Sequence, residues 1–328
     1  MVKQMRLFII GNGFDRAHKL PTKFDPHFKT IANQYELNNF WEIYQNQSDN
    51  IWSDFENSLA YPDFNALEEI FNGYEPDYYS DRESDRNAII TQVDLNGNLT
   101  RSLYEFANNA EKQLAKIKPL LKFEYEFLEN DLFITFNYTH TLEKLYRINE
   151  SRVLHIHGEV GMNNLILGYP EKDYSPKKYY YDIRGKGIGP YQEVDYQTHI
   201  DNIHNNGILD YYTYTACCDL IKKTKSFSKQ TQTKTFLDFI NNHEIKIILI
   251  LGHSCNIDFD YFKLLQNQFP QAKWIFIYYD SKTRINMVNM ISRFDIKNFE
   301  LVKDNEYFDE EKADVTGGAC VNLRATRF

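Results

Sequence analysis

Two histidines stand two residues apart in Leu154-His155-Ile156-His157-Gly158, a spacing that puts both side chains on one face of a strand. Imidazole titrates near neutral pH, so one ring can serve as a general base with the other packed beside it, or both can ligate a metal. A metal site needs a third protein ligand, for which His140 and His253 are the candidates from strand ends, and the expectation is that no metal is held. His157 suits a catalytic base and a satisfied core histidine equally. Asn137, in Thr135-Phe136-Asn137-Tyr138-Thr139, carries an amide that needs partners when buried at a strand end. A ribose hydroxyl, a positioned water or the N-terminus of the next helix would supply them. Gly11-Asn12-Gly13-Phe14-Asp15 is a tight turn whose backbone N–H groups can approach a diphosphate, although Arg16 stands where a dinucleotide fingerprint places its third glycine. The same turn, needing only positive φ, forms without any ligand.

Three other segments invite chemistry. Asp280 ends an apolar run where an acid commonly meets an adenosine ribose, or where it caps the helix spanning 284–294. Trp52-Ser53-Asp54-Phe55-Glu56 holds two carboxylates, but Ser53 followed by Glu56 reads better as a capping box above the apolar stripe of Phe55 and Leu59. Tyr174 to Tyr181, with Lys177 and Lys178 interleaved, can stack bases or form a partner-facing loop.

The elements that must position these residues are apolar runs. Strands are expected at Leu7 to Ile10, Leu132 to Phe136, Val153 to Ile156, Leu165 to Leu167, Ile247 to Leu251 and Trp274 to Tyr278, most of them apolar on both faces. Helical spacing connects Phe28, Ile31, Ala32 and Tyr35, then Phe259, Phe262, Leu265 and Phe269 ahead of Pro270, then Ile285, Val288 and Ile291. The last third alternates strand and helix, which predicts a parallel sheet in an α/β domain with helices on both faces. Five of the runs end in small or polar clusters, at Gly11, Asn137, His157, Gly252-His253-Ser254 and Asp280. In a parallel sheet all carboxyl ends share one edge, so the five clusters converge on one crevice. The nucleotide-binding domain is expected from 1–23 and 129–300, with a helical insertion over 24–128, a second insertion over 169–234, and a C-terminal tail over 301–328. The polar stretch Asn72 to Asn98 and the run Gly185-Lys186-Gly187-Ile188-Gly189 stand outside the alternation.

The whole chain has 328 residues, 42% hydrophobic and 25% charged, and no apolar run long enough to cross a bilayer, so no membrane partner is expected. A formal charge of -9 excludes a global field for nucleic acid. The N-terminal apolar run is too short for a signal-peptide core, and the expected compartment is the cytoplasm. Cys217, Cys218, Cys255 and Cys320 include no CxxC pair, which removes zinc-ribbon and thioredoxin-type motifs. With 24 Tyr and 24 Phe against 14 Gly and 9 Pro, packing of helices on a sheet is favoured over a turn-rich sandwich.

Taken together, the motifs resemble the AbiH family of bacterial abortive-infection proteins, which protect cells against phage. The resemblance is carried by Ile10 to Asp15 with Leu20-Pro21-Thr22, Trp52 to Glu56, Thr135 to Thr139, His155 to Gly158, and Gly252-His253-Ser254 with Asp258. A more distant likeness is to sirtuin-like NAD-binding domains, with their Gly-x-Gly loop, motif Asn, His before Gly, and Gly-x-Ser loop. It implies a Rossmann-like sheet in which Gly11, Asn12, Gly13 and Asp15 face the diphosphate, Asn137 the ribose or attacking water, and His157 acts as base. Thr139 then stands at the carboxamide contact, and Gly252, His253 and Ser254 line the adenosine side with Asp280. Thr139 replaces the Asp of sirtuins, Asp15 replaces a Ser, and the zinc cysteines are absent, which argues against a deacylase. The function so implied is an antiphage effector that cleaves NAD as substrate, with no required cofactor, acting with a second copy of itself or a phage-derived trigger. Two other readings stay open. A metal-dependent nuclease or phosphotransferase would use the histidines with nearby acids, and a nucleotide-binding sensor would trigger a partner without turnover.

Overall fold

The structure, a computed structural model, describes residues 5–35, 43–44, 51–63, 66, 84, 95–170, 179–182, 191–207 and 211–308. Most of the 72–98 stretch, the 174–178 part of the tyrosine-rich segment, the 185–189 run and residues 309–328 lie outside these. The chain divides into two units, one of residues 1–22, 108–164 and 231–328, the other of residues 23–107 and 165–230.

The first unit is built on six parallel strands: β1 (Met5–Ile10), β2 (Leu132–Thr135), β3 (Val153–His155), β4 (Ile245–Leu251), β5 (Lys273–Tyr278) and β6 (Phe299–Lys303). Their order across the sheet is β3-β2-β1-β4-β5-β6. That is the dinucleotide-binding order 3-2-1-4-5-6, whose direction reverses between β1 and β4. The helices used below are α1 (Asn12–Ala17), α2 (Thr141–Tyr146), α3 (Thr233–Ile240), α4 (Phe259–Gln268) and α5 (Ser281–Arg293).

Alternation along the strands fills two cores. Leu7, Ile9, Ile134, Ile248, Ile250, Trp274 and Phe276 pack with Phe236 and Ile240 of α3, Phe262 and Leu265 of α4, and Met287 and Met290 of α5. Phe8, Ile10, Phe133, Leu249, Leu251, Ile275 and Ile277 pack with Phe14, Phe123, Leu142 and Phe308. Both faces are therefore covered, as the apolar runs predict, and each buried Phe or Ile contributes roughly 1.5–3 kcal/mol. A one-residue slip of β1 would exchange the two sets, so the register is strongly fixed. Arg6, 7% exposed, anchors the amino end of β1. It donates through Nε and a terminal nitrogen to Asp131 at 3.0 and 2.6 Å, and through the other terminal nitrogen to Glu126 at 2.7 Å.

Two expectations change. Leu165 to Leu167 form no strand, because the Leu165 amide donates to the Tyr104 hydroxyl rather than to a neighbouring strand. Residues 301–303, expected in a tail, complete β6, which pairs with β5 from Phe299↔Trp274 to Lys303↔Tyr278.

The second unit holds an aromatic cluster of Phe24, Phe28, Trp52, Phe55 and Phe106, the helices Tyr196–Asn205 and Tyr211–Ser226, and two small two-stranded pairings. Residues Tyr179–Asp182 pair antiparallel with Tyr191–Val194. Among the described residues no helix is long and apolar enough to cross a membrane.

Candidate functional site

The loops after β1 and β4 meet at the point where the strand order reverses. Gly11 donates its amide to the Leu251 carbonyl at 3.0 Å, and Gly13 donates to the Gly252 carbonyl at 2.8 Å. Gly252 has φ +70, and a Cβ there would lie 2.4 Å from the Phe14 amide nitrogen. A Cβ on Gly13 would lie 2.7 Å from the Gly252 Cα. The close backbone approach that these glycines allow is thus taken up by the opposite loop. Asn12 is exposed, and its side-chain amide donates to the Thr22 carbonyl at 2.6 Å. Ser254 and Asp280 are also exposed. Asp280 accepts the Thr283 amide at 2.7 Å as N-cap of α5, a bond that also lowers its pKa.

Beneath these loops lies a buried polar knot. Asp15, 1% exposed, accepts from the hydroxyls of Thr139 at 2.6 Å and Thr141 at 2.8 Å. Burial pushes its carboxyl up to about 6, against the lowering effect of hydrogen bonds from Thr139, Thr141 and Asn137. The Asn137 side chain also donates to the Gly11 carbonyl at 3.3 Å, tying the end of β2 to that of β1. It does not cap the following helix, since His140 is the N-cap of α2.

His157 and Asp258 form the second group. His157 Nε2 lies 3.4 Å from Asp258 Oδ1, and both residues are 5% exposed. His253 Nε2 lies 3.9 Å from Asp258 Oδ2. The Cys255 amide donates to His253 Nδ1 at 3.0 Å, so the neutral His253 carries its proton on Nε2, toward Asp258. The Phe136 ring packs edge-on against both imidazoles, with centroids 5.0 Å from His157 and 4.6 Å from His253. Asp258 reaches this position from a left-handed backbone conformation, φ +63, just ahead of α4. The ring of His253 is therefore engaged as well as its backbone.

His155 goes elsewhere, which corrects the expectation of a shared face. Strand β3 ends at His155, so the two-residue alternation stops there and His157 lies in the turn beyond it. His155 Nδ1 donates to the Asn137 carbonyl at 3.0 Å, and its Nε2 lies 2.9 Å from Glu143 Oε1. Nearby, His140 sits between Glu111, 3.0 Å from Nδ1, and Glu159, 3.0 Å from Nε2. The hydrogen bond to Glu111 holds the His140 imidazole up at about 9. Burial pushes Glu111 upward, but the bonds from His140 and Lys144 outweigh it and hold the carboxyl at about 2. The histidine with which His155 groups is thus His140, and the acids Glu111, Glu143 and Glu159 join them. Glu143 lies one helical turn from His140, a local signal in the sequence; Glu111 is 29 residues away and gave none.

Glu56 belongs to the second unit, where its carboxylate accepts from Lys229 at 3.1 Å. The side chain of Ser53 lies outside the described residues. A depression lined by Asn242, His243, Phe269 and Pro270 lies at the amino ends of β4 and β5, the edge opposite these loops.

No curated protein and no solved structure matches the chain. The family model described as bacteriophage abortive infection AbiH matches residues 7–278, a span that runs from β1 through β5 and contains both buried groups above. The chain belongs to the AbiH family, and phage abortive infection is its role.

Proposed function

We propose that this AbiH protein is an antiphage effector that binds a nucleotide at the carboxyl edge of its sheet and cleaves NAD at the N-glycosidic bond. The observation that carries the reading is His157 beside Asp258 at the end of β3, one strand from Asn137 at the end of β2, in a sheet of the dinucleotide-binding order. In the reaction the bond between ribose and nicotinamide breaks through an oxocarbenium-like transition state, and water attacks the ribose carbon. His157 takes the water's proton, with the Asp258 carboxylate stabilising the imidazolium. Asn137 orients the ribose or the water. Because the Gly13 amide is already bonded to Gly252, diphosphate contacts fall to the exposed Asn12 and Ser254.

The test is chromatographic measurement of nicotinamide after incubation of purified protein with NAD, with and without phage lysate. Nicotinamide release supports the reading. A saturable thermal shift with NAD or ADP-ribose and no product would assign a sensor instead, and neither shift nor product would remove the nucleotide site altogether.

A further inference from the structure

We propose that His140, His155 and Glu159 bind one divalent transition-metal ion of the zinc class, with the Glu143 carboxylate adjoining it. A ligating nitrogen of each histidine and a carboxylate oxygen of Glu159 lie within 4.8 Å of one another. Zinc-class ions hold nitrogen and oxygen donors at about 2.0–2.2 Å, which separates tetrahedral donors by roughly 3.3–3.5 Å, so side-chain movements of about 1 Å close the site. Two imidazoles and a carboxylate suit such ions better than the all-oxygen shells of calcium or magnesium.

The contacts behind the histidines select the nitrogens that would bind. The Asn137 carbonyl can only accept, so the proton of neutral His155 is on Nδ1 and its Nε2 lone pair faces Glu143 Oε1 at 2.9 Å. Glu111 takes both the His140 backbone amide, at 2.9 Å, and Nδ1, at 3.0 Å, which leaves Nε2 turned to Glu159 Oε2. Each imidazole is therefore braced through Nδ1 by an acceptor, as metal-bound histidines commonly are. A lone pair facing a carboxylate at these distances requires positive charge between them.

The charge balance agrees. Among the described residues the lysine that pairs with Glu111, Glu143 or Glu159 is Lys144, 2.6 Å from Glu111. Three carboxylates against that lysine leave the group acidic, which favours a bound cation. Two imidazolium protons would balance it as well, but they leave Glu143 Oε2, which is buried and accepts no hydrogen bond among the described residues. Side-chain exposures of 21% for His140 and 32% for Glu159 give an ion an entry path, and three protein ligands leave a coordination position open.

The experiment strips the full-length protein with EDTA, removes the chelator, and titrates it at pH 7.5 with Zn²⁺ by calorimetry and with Co²⁺ by visible absorption, following the melting temperature in parallel. One equivalent per chain, a raised melting temperature, and Co²⁺ bands of low-symmetry nitrogen and oxygen coordination are expected. Glu159→Gln should weaken Zn²⁺ by about 100-fold and His140→Ala by more, whereas Glu150→Gln, on the exposed side of the same region, should leave it unchanged. Glu159 is part-exposed and outside the cores, so Glu159→Gln stays informative if a histidine variant fails to fold. Absence of binding at about 100 μM Zn²⁺, or equal affinity in wild type and Glu159→Gln, would overturn the proposal.

Discussion

Gly13 and Gly252 meet backbone to backbone, the amide of one donating to the carbonyl of the other across 2.8 Å at the point where the strand order reverses. The glycines of the β1 turn thus serve a loop-to-loop contact. Gly13→Val should destabilise the fold by about 1–3 kcal/mol, since its Cβ would meet the Gly252 backbone at 2.7 Å. Urea unfolding without nucleotide measures this. A variant of wild-type stability that has lost only a ligand-induced thermal shift would show that the space is kept for a ligand.

Arg6 pairs with both buried carboxylates, Glu126 and Asp131, at the opposite edge. Arg6→Met keeps the length of the side chain and removes the positive charge from both acids, leaving them the Tyr307 hydroxyl and the Leu128 amide as donors, so a loss of about 3–5 kcal/mol is expected. Denaturant unfolding at pH 7 reads it, and a loss below about 1 kcal/mol would mean that the acids find other partners.

Asp15 sets a pH dependence whose direction is fixed by burial. Its carboxyl rises from 3.8 in a model peptide to about 6 in the fold, so between these values the native state keeps a proton that the unfolded state has lost. The contribution to stability is full below the lower value and gone above the upper one. The stability of wild type relative to Asp15→Asn should therefore fall by on the order of 3 kcal/mol from pH 4 to pH 7. A difference that stays flat across that window would contradict the shift.

The sheet was legible because its central strands are apolar on both faces and stop at small or polar residues. β6 was not, since it lies at the edge, is largely half-exposed or exposed, and carries Glu300 and Lys303 in place of an apolar run. Leu165 to Leu167 misled for the converse reason, being apolar without an edge to pair with. At the candidate site, positions at strand ends could be read, but the partners could not. The His155 and His157 rings part because β3 stops between them, and Asp258 reaches His157 from a loop about a hundred residues further along, through a left-handed conformation that no spacing rule encodes.

The most direct test of the proposed chemistry compares wild type and His157→Ala for nicotinamide release from NAD, with ADP-ribose binding measured on the same preparations. His157→Ala should lower turnover by about 10²–10⁴ while ADP-ribose still binds, because general-base catalysis contributes on that scale and ground-state contacts come from the loops. Equal turnover by wild type and His157→Ala, or phage protection that persists undiminished in cells expressing His157→Ala, would contradict the assignment of His157 as the catalytic base.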